Sequence, residues 1–346
     1  MHTPVAQSIV TMSALLSALQ GKRPDRLPVW FMRQAGRSLP EYRQAREGTT
    51  ILEACLVPDL AAEITLQPVR RHGVDAAIFF SDIMTPLVLA GVDVDIVSGV
   101  GPVVENPVRT RADVDRIVAH EISDSSAITE AISIIVSELG DATPLIGFAG
   151  APFTLAAYLV EGRGTRDHLR ARSMMHADPE AWNRLLDWAA KLSGQFLDAQ
   201  IAAGARAVQL FDSWAGSLSR ADYLEYVQPH SATALAAVAD RVPRIHFGVG
   251  TRHLLPDMAA IGVDALGVDY RTPLDEAAQL VPGLPLQGNI DPALLAAGWP
   301  ALEAHARDVV RRGQAAPAHI VNLGHGVPPT TDPQVLTDLV ALIHEL

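Results

Sequence analysis

Thiols and lysines are nearly missing from this chain. Cys55 is its one cysteine, and Lys22 and Lys191 its two lysines, against twenty-five arginines. One cysteine excludes an internal disulfide and any thiolate-rich metal site, leaving Cys55 the ordinary role of a small buried hydrophobe. Neither lysine closes an apolar strand, which argues against Schiff-base chemistry. No uncharged apolar run reaches the roughly 18 residues of a membrane span, although 346 residues at 49% apolar composition can bury a large core. Positive charge is also short overall. The formal net charge is −12 and no basic stripe exists outside one cluster, so nucleic acid is not an expected partner. The first twenty residues lack a basic lead-in, and Ile9, Met12, Leu15, Leu16 and Leu19 fall at helical spacing. They predict an amphipathic helix over about 9–20, not a signal peptide, and the whole reads as a reduced, cytoplasmic, soluble protein.

The one basic cluster organises the rest. Val29 to Met32 reads as a strand apolar on both faces, and it runs into a loop carrying Arg33 and Arg37, with Arg43 and Arg46 following. Against these four stands Glu41. Guanidinium groups concentrated at one strand end, in an acidic chain, suit carboxylate or phosphate ligands. Gly36 permits a tight turn or close approach of a ligand to the main chain. The plainer reading is that Arg33 and Arg37 are surface residues paired with Glu41.

Seven further apolar runs follow, at 76–82, 144–148, 207–213, 244–248, 265–269, 284–289 and 319–323, with helical patterns between them over 58–71, 122–139, 179–203, 219–240, 253–261 and 299–312. A Gly-, Pro-, Asp- and Val-rich stretch from 92 to 108 suggests an excursion of small strands, and Thr154 is expected to cap a helix running through Tyr158 to Glu161. A last helix spans 332–344. Eight strands alternating with helices are the pattern of a single-domain α/β (β/α)8 barrel covering residues 1–346. A doubly wound sheet would ordinarily show a phosphate-binding glycine motif after its first strand, where this chain has arginines.

Barrel enzymes keep their chemistry at the C-terminal strand ends. The candidates there are Arg33, Arg37, Asp82, Tyr158, Asp212, Ser213, His246, Asp269, Asn289 and His325. Asp82 either caps the next helix or presents a bare carboxylate. Tyr158 taken alone reads as packing, Ser213 beside Asp212 as a capping pair, and His246, inside an apolar strand, as a satisfied core histidine. The glycines flanking His325 mark a tight turn or a close approach to ligand. Neither a metal-ligand spacing nor a Ser–His–Asp elbow is present.

Six segments in order resemble the uroporphyrinogen decarboxylase family: residues 32–37, 80–83, 147–154 with Tyr158 and 161–162, 211–216, 287–292 and 322–326. Ser38 departs from the pattern, since the family usually has an aromatic residue there. The resemblance implies a (β/α)8 homodimer that removes four acetate carboxyls of uroporphyrinogen III as CO2, giving coproporphyrinogen III without metal or organic cofactor. It further implies that Asp82 accepts hydrogen bonds from the pyrrole N–H groups and that Arg33, Arg37 and Arg46 bind carboxylates. Tyr158, Ser213 and His325 would line the site, and the main chain of Gln34, Ala35 and Gly36 would complete the first loop. The proton donor stays open among Arg37, Tyr158, His325 and water. One rival is a zinc-dependent methyltransferase on a related barrel, which Cys55 alone cannot supply with thiolate ligands. Another is a non-catalytic tetrapyrrole carrier, which needs the arginines but not an isolated Asp82.

Overall fold

The apolar runs become staves of one parallel sheet. Within residues 13–346, which the computed structural model describes, the strands are β1 (Ala77–Ile78), β2 (Val94–Val97), β3 (Gly101–Val104), β4 (Leu145–Gly150), β5 (Ala207–Asp212), β6 (Arg244–Gly248), β7 (Ala265–Gly267), β8 (Leu286–Gln287) and β9 (His319–Ile320). β1 and β4 to β9 pair in that order, each parallel to its neighbour, in a curled seven-stranded sheet of an α/β fold. β2 and β3 form a separate antiparallel hairpin, the excursion expected between 92 and 108. β4 is buried along its whole length and β5 and β6 nearly so, as strands covered on both faces require.

The expected first strand is not one. Val29 makes a single parallel bridge to Val321. Around it, Trp30 N donates to Val321 O (3.2 Å), Val321 N to Pro28 O (2.8 Å) and Asp75 N to Val29 O (2.9 Å). The ladder stops there because a side chain replaces it: Asn322 Oδ1 accepts from both Met32 N (2.9 Å) and Leu323 N (2.8 Å). Inside the curl the same segment reaches across the sheet. Trp30 Nε1 donates to Gln287 Oε1 (3.1 Å), Gln287 Nε2 donates to Gln209 Oε1 (2.9 Å), and Gln209 Nε2 sits 3.7 Å from Met32 Sδ.

Helices Pro58–His72, Ser126–Leu139 and Pro179–Ala202 form close to the expected bounds. The last starts cleanly, with Asp178 accepting from Ala181 N and a proline in its first turn. The helix expected over 219–240 is two, Arg220–Tyr226 and Gln228–Ala236. It breaks at Val227, two residues before Pro229, which has no N–H for the carbonyl four residues back. Thr154 is not a cap: the helix Pro152–Glu161 begins after Ala151, and the Thr154 hydroxyl donates to Asp212 Oδ1 (2.9 Å). Of the opening helix, Ala14–Leu19 is seen, capped by Ser13, whereas Ile9 and Met12 lie outside the described residues. Among the described residues no helix is long and apolar enough to cross a membrane.

Candidate active site

The loop after Met32 is strapped down so that its arginines project. Gln34 is fully buried. Its Oε1 accepts from Phe31 N (2.9 Å), its Nε2 donates to Ala76 O (3.0 Å) and its main-chain N donates to Phe31 O (3.0 Å), so this residue braces the scaffold. Val327 N donates to Met32 O (2.8 Å), tying this loop to the one carrying His325. Arg33 adopts a left-handed backbone (φ 60°), unusual for a residue with a side chain, and is exposed against Gly326. A Cβ on Gly326 would lie 2.5 Å from Arg33 Cδ, so glycine is what lets the two loops meet. Ala35 and Gly36 are half-buried and Arg37 is exposed.

The surface-pair reading of Arg33 and Arg37 fails, because Glu41 is taken. Arg71 grips it with two hydrogen bonds, Nε at 2.5 Å and Nη2 at 2.7 Å, and holds its carboxyl below the usual range. Arg46 is half-buried, with Nη1 donating to Tyr42 Oη (3.0 Å) and its guanidinium 5.3 Å from the Tyr42 ring centroid. Ser38 is buried and its hydroxyl has no partner among the described residues, so the small residue fills this place without gaining a bond.

Asp82 lies just past β1. It is not a standard helix cap: the next helix, Thr85–Leu89, starts after Met84, and among the described residues Asp82 Oδ1 accepts only from Met84 N (2.9 Å). Burial raises its pKa above the ordinary carboxylate value, opposed by the Met84 amide and by the charge of Arg33. A carboxylate stripped of water and given one amide is short of donors, and its charge is therefore available to a ligand. Cys55, remote from every strand end in sequence, folds against it. Burial, then the Asp82 charge, pushes the thiol up to about 12, with Thr85 and Ser81 alongside. Such a thiol stays protonated and inert.

Tyr158 faces the same carboxylate. Burial and the Asp82 charge push its hydroxyl up to about 12, while Arg33 acts in the opposite sense. Its ring stacks on Trp214 at 3.9 Å, and Trp214 stacks on His168 at 4.3 Å, a wall the sequence reading did not pick out. Ser213, half-buried between Asp212 and Trp214, is the first residue past β5. His325 is solvent-accessible yet hemmed in. Burial, followed by the charges of Arg33 and Arg271, lowers its pKa, so it is neutral at pH 7. Thus Arg33, Asp82 and Tyr158 come within electrostatic reach of one another, and His325 within reach of Arg33. Arg271, anchored on Asp269 and lying over the Tyr270 ring at 4.6 Å, acts on His325 and was also missed.

The remaining strand-end candidates are structural. Asp269 is buried and accepts from Gly250 N (2.7 Å), and Asn289 Nδ2 donates to Asp269 O (2.8 Å) and Thr272 O (2.6 Å). His246 is in the core, as expected, but not satisfied. Neither ring nitrogen has a partner, and Nε2 is 3.9 Å from Asp212 Oδ2. Among the described residues no three His, Cys, Asp or Glu side chains are grouped to hold a metal.

The site is an arginine-rimmed, half-buried carboxylate at the strand ends of an α/β sheet. Comparison with known proteins gives the chain a family. The profile described as Uroporphyrinogen decarboxylase (URO-D) matches residues 11–346. Proteins named uroporphyrinogen decarboxylase from Arthrobacter sp. and Leifsonia xyli subsp. xyli are 62% and 58% identical. The first alignment spans 96% of this chain and 97% of the relative, the second 99% and 96%. The chain belongs to the uroporphyrinogen decarboxylase family. In fold it is similar to a methyltransferase from Methanosarcina mazei (TM-score 0.80, 21% identity, 96% of this chain and 97% of the other) and more distantly to a B12-independent methionine synthase from Shewanella (TM-score 0.57, 13% identity, 82% and 87%).

Proposed function

We propose that the protein decarboxylates uroporphyrinogen III to coproporphyrinogen III, and that Asp82 is the residue around which the reaction is built. The observation that carries this reading is a half-buried carboxylate, the Met84 amide its only donor among the described residues, within electrostatic reach of Arg33 and Tyr158, with His325 beside that same Arg33. Loss of CO2 from an acetate on a pyrrole leaves an electron pair on the side-chain carbon. Prior protonation of the adjacent ring carbon makes the pyrrole cationic, so the ring itself accepts that pair. A second proton then completes the methyl group, and the ring carbon releases the first, restoring the neutral pyrrole. Each cycle exchanges one CO2 for one proton, and no external electron sink is needed. Asp82 accepts the pyrrole N–H bonds and offsets the cation as it forms. Arg33, Arg37 and Arg46 hold substrate carboxylates, and the main chain of Gln34, Ala35 and Gly36 completes that wall with Ser213.

The structure's pKa directions narrow the acid. Tyr158, pushed up to about 12, is a poor proton source, and His325, lowered below its usual value, is a strong acid sparsely populated at neutral pH. Water delivered beside His325 or Tyr158 fits best.

The finer architecture belongs to the same proposal. Val29–Met32 serves as the eighth stave, supported by its bonds to Val321 on one side and Asp75 on the other, closing one (β/α)8 domain that works as a cytoplasmic homodimer. The methyltransferase rival shares the fold, but its thiolate zinc site has no counterpart in a lone Cys55 whose thiol sits near 12. Anaerobic incubation with reduced uroporphyrinogen III, with chelator present, tests the reading. Stepwise appearance of seven-, six-, five- and four-carboxylate products is expected, and binding without loss of carboxylates would instead identify a carrier.

A further inference from the structure

Fifteen of the twenty-five arginines lie within 4.0 Å of a carboxylate oxygen, a count read from the arginines in the ion pairs. Three of the other ten, Arg23, Arg109 and Arg172, donate to main-chain carbonyls. The seven left fall into two stretches. One is the first loop, with Arg33, Arg37, Arg43 and Arg46. The other is Arg163, Arg166 and Arg170, all exposed, with Asp167 the single acid from 162 to 170 and in no ion pair among the described residues. In a chain of net charge −12, three uncompensated guanidinium groups within eight residues are out of keeping with the rest of the surface.

This second stretch is built, not loose. Val104 N donates to Gly162 O (2.8 Å) and Val103 bridges Arg163, fastening its start to the hairpin. At its end, buried Glu161 folds back to accept from Arg170 N (2.8 Å) and Ala171 N (3.1 Å). Between them His168, left-handed at φ 48°, stacks on Trp214, whose ring stacks on Tyr158. A Cβ on Gly164 would be 3.8 Å from Trp214. The loop is therefore mounted on Trp214, the ring that stacks on Tyr158 at the candidate site.

We infer that Arg163, Arg166 and Arg170 form a second carboxylate clamp, mounted beside Trp214, that takes the outward carboxylates of the same substrate. This rests on the function proposed above. Eight carboxylates exceed what Arg33, Arg37 and Arg46 can pair, and guanidinium forks are matched to the surplus. The clamp adds binding and orientation at the rim, not chemistry.

The test compares the full-length protein with Arg163→Gln/Arg166→Gln/Arg170→Gln, with the single variant Arg166→Glu, and with Arg307→Gln on the distant helix Trp299–Gly313 as control. Fluorescence titration with oxidised uroporphyrin (eight carboxylates) and coproporphyrin (four), at low and high salt, runs beside steady-state turnover of uroporphyrinogen. For the triple variant at low salt the octacarboxylate affinity should fall about tenfold, the tetracarboxylate affinity about threefold, and KM should rise with kcat within about twofold. High salt should erase most of the difference. Arg166→Glu should move in the same direction and Arg307→Gln should not move. Affinities and KM within about twofold of the parent, an equal shift in Arg307→Gln, or a changed dimer equilibrium with unchanged KM would each overturn the clamp. A parent that binds uroporphyrin but never releases CO2 would overturn the proposed function, while the titration would still decide the clamp.

Discussion

Arg46, proposed above to hold a substrate carboxylate, is positioned by Tyr42, which both accepts its hydrogen bond and lies under its guanidinium. Tyr42→Phe keeps the ring and its edge-on contact with Phe80 at 5.8 Å but frees Arg46. KM for uroporphyrinogen should rise about three- to tenfold with kcat little changed, matching the loss of a charged hydrogen bond of roughly 1 kcal/mol. Arg37→Lys tests a different property. Lysine keeps the charge but loses the two-pronged fork, so kcat/KM should fall on the order of tenfold or more in steady-state assays. Full activity would mean that Arg37 acts only as a point charge. Much of this scale was legible in sequence. Arg33, Asp82, Tyr158 and His325 were all named from strand ends. Cys55 against Asp82, Arg271 beside His325 and the Trp214 stack were not, because contacts between remote segments leave no local periodic signal.

The strands show the same division. β6 forms over Arg244–Gly248 and the long helix over Pro179–Ala202, as their apolar patterns indicate. The pattern of Val29–Met32 also announced burial correctly but could not announce that Asn322 would replace the ladder. Gln209 and Gln287 look misplaced in apolar runs until the fold pairs them with each other and with Trp30. Gln287→Leu removes the acceptor of Trp30 Nε1 and the donor to Gln209 Oε1, leaving two buried groups unmatched. A loss of about 2–4 kcal/mol follows, read as a lower urea midpoint with unchanged slope. A midpoint within error of the parent would show that this cross-sheet relay does not hold the segment in place.

Over the whole molecule, the buried histidines set the response to acid. Burial lowers both His72 and His319 from 6.5 to about 4. Between those values the unfolded chain binds more protons than the folded one, so stability is intact above about pH 6.5 and declines as pH falls towards 4. At pH 5 the loss is about 2 kcal/mol per histidine. Calorimetry should show Tm falling across this range, and His319→Asn should flatten part of the fall. The distribution of charge is the other whole-molecule feature. Acidic residues outnumber basic ones 39 to 27, yet the candidate site is rimmed by arginines around one carboxylate. Asp82 has a raised pKa, so its ionised form costs the fold stability while serving the substrate. Activity should therefore require a higher pH on its acid limb than an ordinary carboxylate would impose, and Asp82→Asn should fold at least as stably as the parent. The decisive measurement is kcat/KM of Asp82→Asn beside its Tm. A loss of about a thousandfold or more with undiminished Tm is the predicted result. Retention of activity in the well-folded variant would contradict the account.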